Sequence, residues 1–219
     1  FLIEWFVIDL VVDFLGRVCG VSAIEMATGK MFFLRSKVTI LATGGAGQIF
    51  ESSTNAHICT GDGMAMVNRH NFGLQDMEMW QFHPTGLYGT GILISEGTRG
   101  EGGFLLNSKG ERFMPRYAPH LKDLSCRDVV ARCSMTEIRE GRGCGPEKDH
   151  VLLQLSHLDE KVFTEKLPGI TEIAMTYKGV DPRKEPIPVV PTCHYVMGGI
   201  PCNYHGQVMA HNQIHKNKI

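Results

Sequence analysis

The chain has 219 residues, 43% of them hydrophobic, and a formal charge of −1: enough to bury a core in one or two domains, with no basic surplus of the kind a nucleic-acid partner selects. Its seven cysteines (Cys19, Cys59, Cys126, Cys133, Cys144, Cys193, Cys202) are scattered without a C-x-x-C pair. That pattern predicts reduced thiols in an intracellular compartment and argues against a disulfide frame or a metal site.

Residues 1–15 form an apolar run interrupted by Glu4, Asp9 and Asp13. The run is too short to span a bilayer and lacks the flanks of a signal peptide, so it is read as a buried or amphipathic helix ended by Gly16. Residues 18–26 alternate like a strand, and Thr28-Gly29-Lys30 turns the chain into residues 31–34. Residues 38–42 are a short β-branched run that stops at Thr43-Gly44-Gly45-Ala46-Gly47, which predicts a buried strand meeting a glycine turn. Gly61-Asp62-Gly63 opens a helix reaching His70. The pattern so far is that of an α/β domain with a hairpin unit feeding a nucleotide site.

From Gln81 the texture changes. Glycines dominate residues 86–110, and a helix is expected over 124–140, broken by Gly141-Arg142-Gly143-Cys144-Gly145-Pro146. Helical segments follow near 159–165 and 170–177, and Pro182, Pro186, Pro188 and Pro191 impose extended backbone. A domain boundary is placed near Glu78, with a return crossing near Thr192.

Several segments carry possible chemistry. The turn Ala42, Thr43, Gly44, Gly45 offers backbone N–H groups to a phosphate, although a strand-end turn needing positive φ explains it equally well. No full G-x-G-x-x-G is present. Asp62 either bonds a ligand or, on physical grounds more commonly, caps the following helix. His83, stiffened by Pro84, is either an anion-binding group or a histidine satisfied by a backbone carbonyl. Ser95-Glu96-Gly97-Thr98-Arg99-Gly100-Glu101-Gly102-Gly103 sets carboxylates, a hydroxyl and a guanidinium among glycines, a mixture suited to proton relay; the alternative is a solvated turn with surface ion pairs. Arg127-Asp128 reads by default as a surface pair near a helix start, and His194 lies where the chain returns to the first domain.

Taken in order, residues 42–47, 60–63, 81–86, 96–103, Gly110-Glu111-Arg112-Phe113, Arg127-Asp128-Val129-Val130, residues 137–143 and Glu185-Pro186-Ile187-Pro188 resemble the flavoprotein subunits of succinate dehydrogenase and fumarate reductase. Gly143-Cys144-Gly145-Pro146-Glu147-Lys148-Asp149-His150 resembles the mitochondrial branch. The resemblance implies an α/β, Rossmann-like FAD-binding domain with an inserted α+β cap: here 1–78, then 79–193 as the cap, then 194–219 returning to the first domain. It implies oxidation of succinate to fumarate, with electrons passing through FAD to an iron–sulfur subunit of complex II and on to quinone, in the tricarboxylic acid cycle and respiratory chain. The expected location is the matrix side of the mitochondrial inner membrane, peripheral and without a span of its own.

By the same resemblance, His83, Ser95 and His194 hold the substrate carboxylates. Arg127 transfers the proton, Glu96 and Arg99 continue the relay, and Asp62 with the Ala42, Thr43, Gly44, Gly45 turn contacts FAD. Arg127 is an awkward base on its own, because a guanidinium has a pKa above ~12.

Departures from the family pattern add further expectations. A G-x-G-x-x-G unit and the flavin-linking histidine are expected before Phe1, and a second substrate arginine after Ile219, so the chain reads as a fragment inactive alone. Ser95 replaces the usual Thr, Pro115 replaces the usual Glu and stiffens a loop, and residues 211–219 are atypical. Alternative readings are fumarate reductase or aspartate oxidase of the same family, and a non-catalytic truncated paralogue serving as an interaction module.

Overall fold

In the computed structural model, which describes residues 1–209, the first apolar run is a strand rather than the expected helix. Strand β1 (Trp5–Val12) pairs antiparallel with β2 (Val18–Glu25), placing Leu10 opposite Val21, and β3 (Met31–Arg35) pairs with the other edge of β2, placing Ala23 opposite Phe32. The acidic residues that interrupt the run are the reason. Asp13 makes the hairpin turn, its carboxylate accepting the backbone N–H groups of Leu15 and Arg17, with Gly16 at φ 75°. Asp9 turns toward Arg69, an ion pair of 3.0 Å, while its neighbour Leu10 is buried. Pairing across the hairpin, rather than the packing of a helical face, sets the conformation of these residues.

The second departure concerns residues 38–42. They form no strand, and Val38 and Ile40 are 77% and 85% exposed. A continuous apolar run becomes a buried strand only when neighbours cover both its edges and both its faces, and among the described residues no strand runs alongside this one. Helix α1 (Asp62–Arg69) forms as expected, but Asp62 does not cap it. Gly61, left-handed at φ 84°, occupies the cap, and Asp62 is the first helical residue, its carboxylate accepting the Thr60 hydroxyl at 2.9 Å.

The described chain divides into two compact units. Unit 1 comprises Phe1–Ala46, Ile58–Met79 and the described residues from Val196 onward. Its small core joins Leu10 to Met66 and Val67 of α1.

Unit 2 comprises Gly47–His57 and Trp80–Tyr195. Its sheet runs in the order β4 (Trp80–Leu87), β7 (Ile187–Val196), β6 (Val151–Gln154), β5 (Phe104–Leu106). Pro84 lies on β4, an edge strand of this sheet, the place in a sheet where proline is tolerated. A core of Leu105, Phe113, Met114, Leu153 and Ile187 fills this unit. Between β4 and β5 lies the short helix α2 (Gly97–Gly100); beyond β5 come α3 (Met114–Tyr117) and α4 (Arg127–Glu137), which packs on β4. Pro115 sits in the first turn of α3, where its lack of an N–H is harmless, rather than stiffening a loop. A wide turn, Ile138–Arg142, ends α4 at Gly141 with φ 76°. The last helix, α5 (Pro168–Lys178), stops at left-handed Gly179. The atypical tail at 211–219 lies outside the described residues.

Candidate active site

The first turn of α4 lies over β4, and this packing brings Arg127 to Gln81 and Glu96. Arg127 Nε donates to Glu96 Oε2 at 2.9 Å and Nη1 donates to Gln81 Oε1 at 3.0 Å. The expected Arg127–Asp128 pair does not form, because adjacent residues on a helix diverge; Asp128 instead pairs with Arg132 one turn on. The Arg127 bond holds the Glu96 carboxyl below its usual range, while Glu96 in turn raises the guanidinium.

On β4, His83 is 1% exposed. Its Nδ1 accepts the Thr85 backbone N–H at 3.2 Å, so its partner is an amide donor and not the backbone carbonyl considered from sequence. Burial and then the charge of Arg127 push the imidazole down to about 4. His194, on the adjacent strand β7, meets it edge to face with ring centroids 5.4 Å apart. Burial and Arg127 lower this ring as well. Both histidines are therefore neutral near pH 7, and the net positive charge comes from the arginines.

Arg99 lies behind Glu96, 4% exposed, with Nη1 donating to the carbonyl of Asp123. Asp123 is itself buried and braces the loop by accepting the Leu105 N–H at 2.8 Å and Arg112 Nε at 2.8 Å. Burial lowers the Arg99 guanidinium, and its Nε has no partner among the described residues. Ser95 is the outlier. Its hydroxyl accepts the Gly97 N–H at 3.2 Å and makes no bond to the other site residues. Thus His83, His194, Glu96 and Arg127 come together, Arg99 lies behind them, and Ser95 stands exposed beside Glu96. Sequence reasoning gave no role to Gln81, Asp123 or Thr54, which bonds His194 at 2.7 Å. Gln81 was within reach of it, because it lies two residues before His83, on the same face of a strand. No local pattern points to the other two.

In unit 1 the Ala42, Thr43 and Gly44 backbone is exposed, with Gly44 at φ 70°. A Cβ on Gly63 would run into the Thr43 side chain, and one on Gly61 would come within 2.9 Å of Ala46. These close approaches set the turn directly against the start of α1, with Asp62 exposed beside it. Exposed backbone donors, a helix N-terminus and one carboxylate suit a ligand carrying both phosphate and hydroxyl groups, so the residues present fit a dinucleotide.

The family model described as FAD binding domain matches residues 1–217. The succinate dehydrogenase flavoprotein subunit of Coxiella burnetii is 57% identical over 219 residues, which is 100% of this chain and 37% of that protein. The mitochondrial succinate dehydrogenase [ubiquinone] flavoprotein subunit of Oryza sativa is 59% identical over 95% of this chain and 33% of its own length. Among solved structures, E. coli quinol fumarate reductase superposes with a TM-score of 0.83 at 45% identity, covering 89% of this chain and 35% of that one. This chain therefore spans about a third of the length of these relatives. With a glycine turn set against α1 and a family match along nearly its whole length, the chain belongs to the FAD binding domain family, and its cofactor is FAD.

Proposed function

We propose that this chain is the central part of a succinate dehydrogenase flavoprotein, with unit 2 as the capping domain that binds a dicarboxylate and moves its proton. The observation that carries the reading is the Arg127–Glu96 pair beside the facing rings of His83 and His194.

FAD, when bound, supplies the hydride acceptor; Thr43, Gly44, Gly45 and Asp62 would help hold it. The two neutral imidazoles donate to the substrate carboxylates, with Ser95 as a third donor once its hydroxyl turns from Gly97. Arg127 Nη2 has no partner among the described residues, and it faces the reacting carbon in this reading. A resting guanidinium is a poor base, and Glu96 makes it poorer still. The transfer works as a relay: Arg127 in its neutral form, with the lone pair on Nη2, takes the substrate proton, and the guanidinium so formed passes its Nε proton along the 2.9 Å bond to Glu96. Arg99, its guanidinium lowered by burial, is the next station. Gln81 keeps Arg127 in register by accepting from Nη1.

The electron acceptor in this reading is an iron–sulfur subunit, and the location is the matrix face of the mitochondrial inner membrane. The second is supported by mitochondrial relatives and by the absence, among the described residues, of a helix long and apolar enough to cross a membrane. The test is succinate-dependent dye reduction by the whole flavoprotein containing this segment, blocked by malonate. Turnover of aspartate would assign the oxidase instead, and no turnover of either would leave the interaction module.

A further inference from the structure

Two imidazoles that both donate to anions must keep their protons on Nε2, and His83 and His194 are held to this in different ways. At His83 the nearer Nδ1 partner is the Thr85 backbone N–H at 3.2 Å, which can only donate, with the Thr85 hydroxyl 3.4 Å away and itself donating to the Ile94 carbonyl, so the proton is held on Nε2. At His194 the Nδ1 partner is the Thr54 hydroxyl at 2.7 Å, which can donate or accept. The competing acceptor for the hydroxyl proton is the Cys193 carbonyl, 3.4 Å away and already taking the Thr54 backbone N–H at 2.9 Å. The shorter contact, to a lone pair with no other donor, takes the proton. We propose that Thr54 is a positioning residue, donating its hydroxyl proton to His194 and so holding Nε2–H toward the dicarboxylate. The proposal rests on the reading of His194 as a carboxylate-binding group.

The surrounding strap is built for this task. Cys193 N–H donates to the Ser52 carbonyl at 2.9 Å, the Ser52 and Thr192 hydroxyls meet at 2.9 Å, and Asn55 Nδ2 donates to the His194 carbonyl at 2.8 Å. Residues 52–55 thus grip both the main chain and the ring of His194. The strap reaches this depth because Gly47 has no side chain: a Cβ there would run into Asn55. Both rings are neutral near pH 7, so tautomer rather than charge is the variable that Thr54 controls.

The test is a two-bond 15N–1H correlation spectrum of the ligand-free chain, labelled at histidine. His194 is expected as the Nε2–H tautomer in the unmutated chain and in Thr54→Ser, and as a mixture of tautomers in Thr54→Val. An Nδ1–H ring in the unmutated chain overturns the proposal without any variant, as does a Thr54→Val spectrum identical to the parent. In the whole flavoprotein, Thr54→Val should raise the KM for succinate about tenfold, the equivalent of one lost hydrogen bond, with a smaller change in kcat and recovery in Thr54→Ser. A tautomer change with KM unmoved would leave Thr54's role standing and overturn the carboxylate-binding reading of His194.

Discussion

Helix α4 carries an arginine–glutamate network at each end, and the two ends do opposite things. At its C-terminal end Glu137 is 0% exposed and its carboxylate is saturated, accepting from Arg116, Arg142, Tyr117 and Asn107. Burial alone would raise this carboxyl, yet the hydrogen bonds from Arg142, Tyr117, Asn107 and Arg116 bring it down to about 2. At the N-terminal end Glu96 is 53% exposed, and Nη2 of its partner Arg127 has no partner among the described residues. Similar residues therefore make an anchor where the carboxylate takes four donors, and a working site where an arginine nitrogen is left over among the described residues. Saturation, rather than composition, separates the two.

The comparison can be broken by substitution. The largest effect is expected from Arg127→Ala in the whole flavoprotein: a kcat loss approaching about 10⁴-fold, with the melting temperature almost unmoved. The mirror-image change, Glu137→Ala, removes the buried carboxylate that Arg116, Arg142, Tyr117 and Asn107 share and should cost about 3–5 kcal/mol of stability in unit 2, read by denaturant melts. If Arg127→Ala melts the protein and Glu137→Ala only slows turnover, the assignment of the two ends is reversed.

The pH dependence of stability sharpens the same contrast. His83 has its pKa lowered to about 4 in the folded chain, so the unfolded chain takes up the proton first as pH falls. Stability is held above the unfolded value near 6.5 and is lost between about 6.5 and about 4, by on the order of 3 kcal/mol. Glu137, a depressed carboxyl, contributes in a lower window, with stability lost as pH falls toward about 2. Denaturant melts of His83→Gln should show a smaller upper window, reduced to the share that His194 contributes, and keep the lower one. The smallest effect is expected from Glu96→Gln, which keeps an acceptor for Arg127 but ends the relay: a kcat loss of about 10²-fold with little change in melting.

Local patterns made much of this fold legible. The Thr28-Gly29-Lys30 turn, the span of α1 and the break of α4 at Gly141 follow from glycine chemistry and periodicity within a few residues. The first strand was missed because Asp9 and Asp13 look like breaks in an apolar helix, whereas one makes a hairpin turn and the other pairs with Arg69 across the fold. The run at 38–42 was over-read, since apolar composition says nothing about whether neighbours are present. The site residues stand in recognisable motifs, but the bond between Thr54 and His194 joins positions 140 residues apart. Spacing along the chain carries no trace of such a pair.

The most direct test of the central claim is the rate of flavin reduction by saturating succinate, in a single turnover, for the whole flavoprotein and its Arg127→Ala variant. The account predicts rapid bleaching in the parent and a rate lower by about 10²- to 10⁴-fold in the variant, with FAD still bound. Bleaching of the variant at the parent's rate would contradict it, and the proton would have to leave by another group.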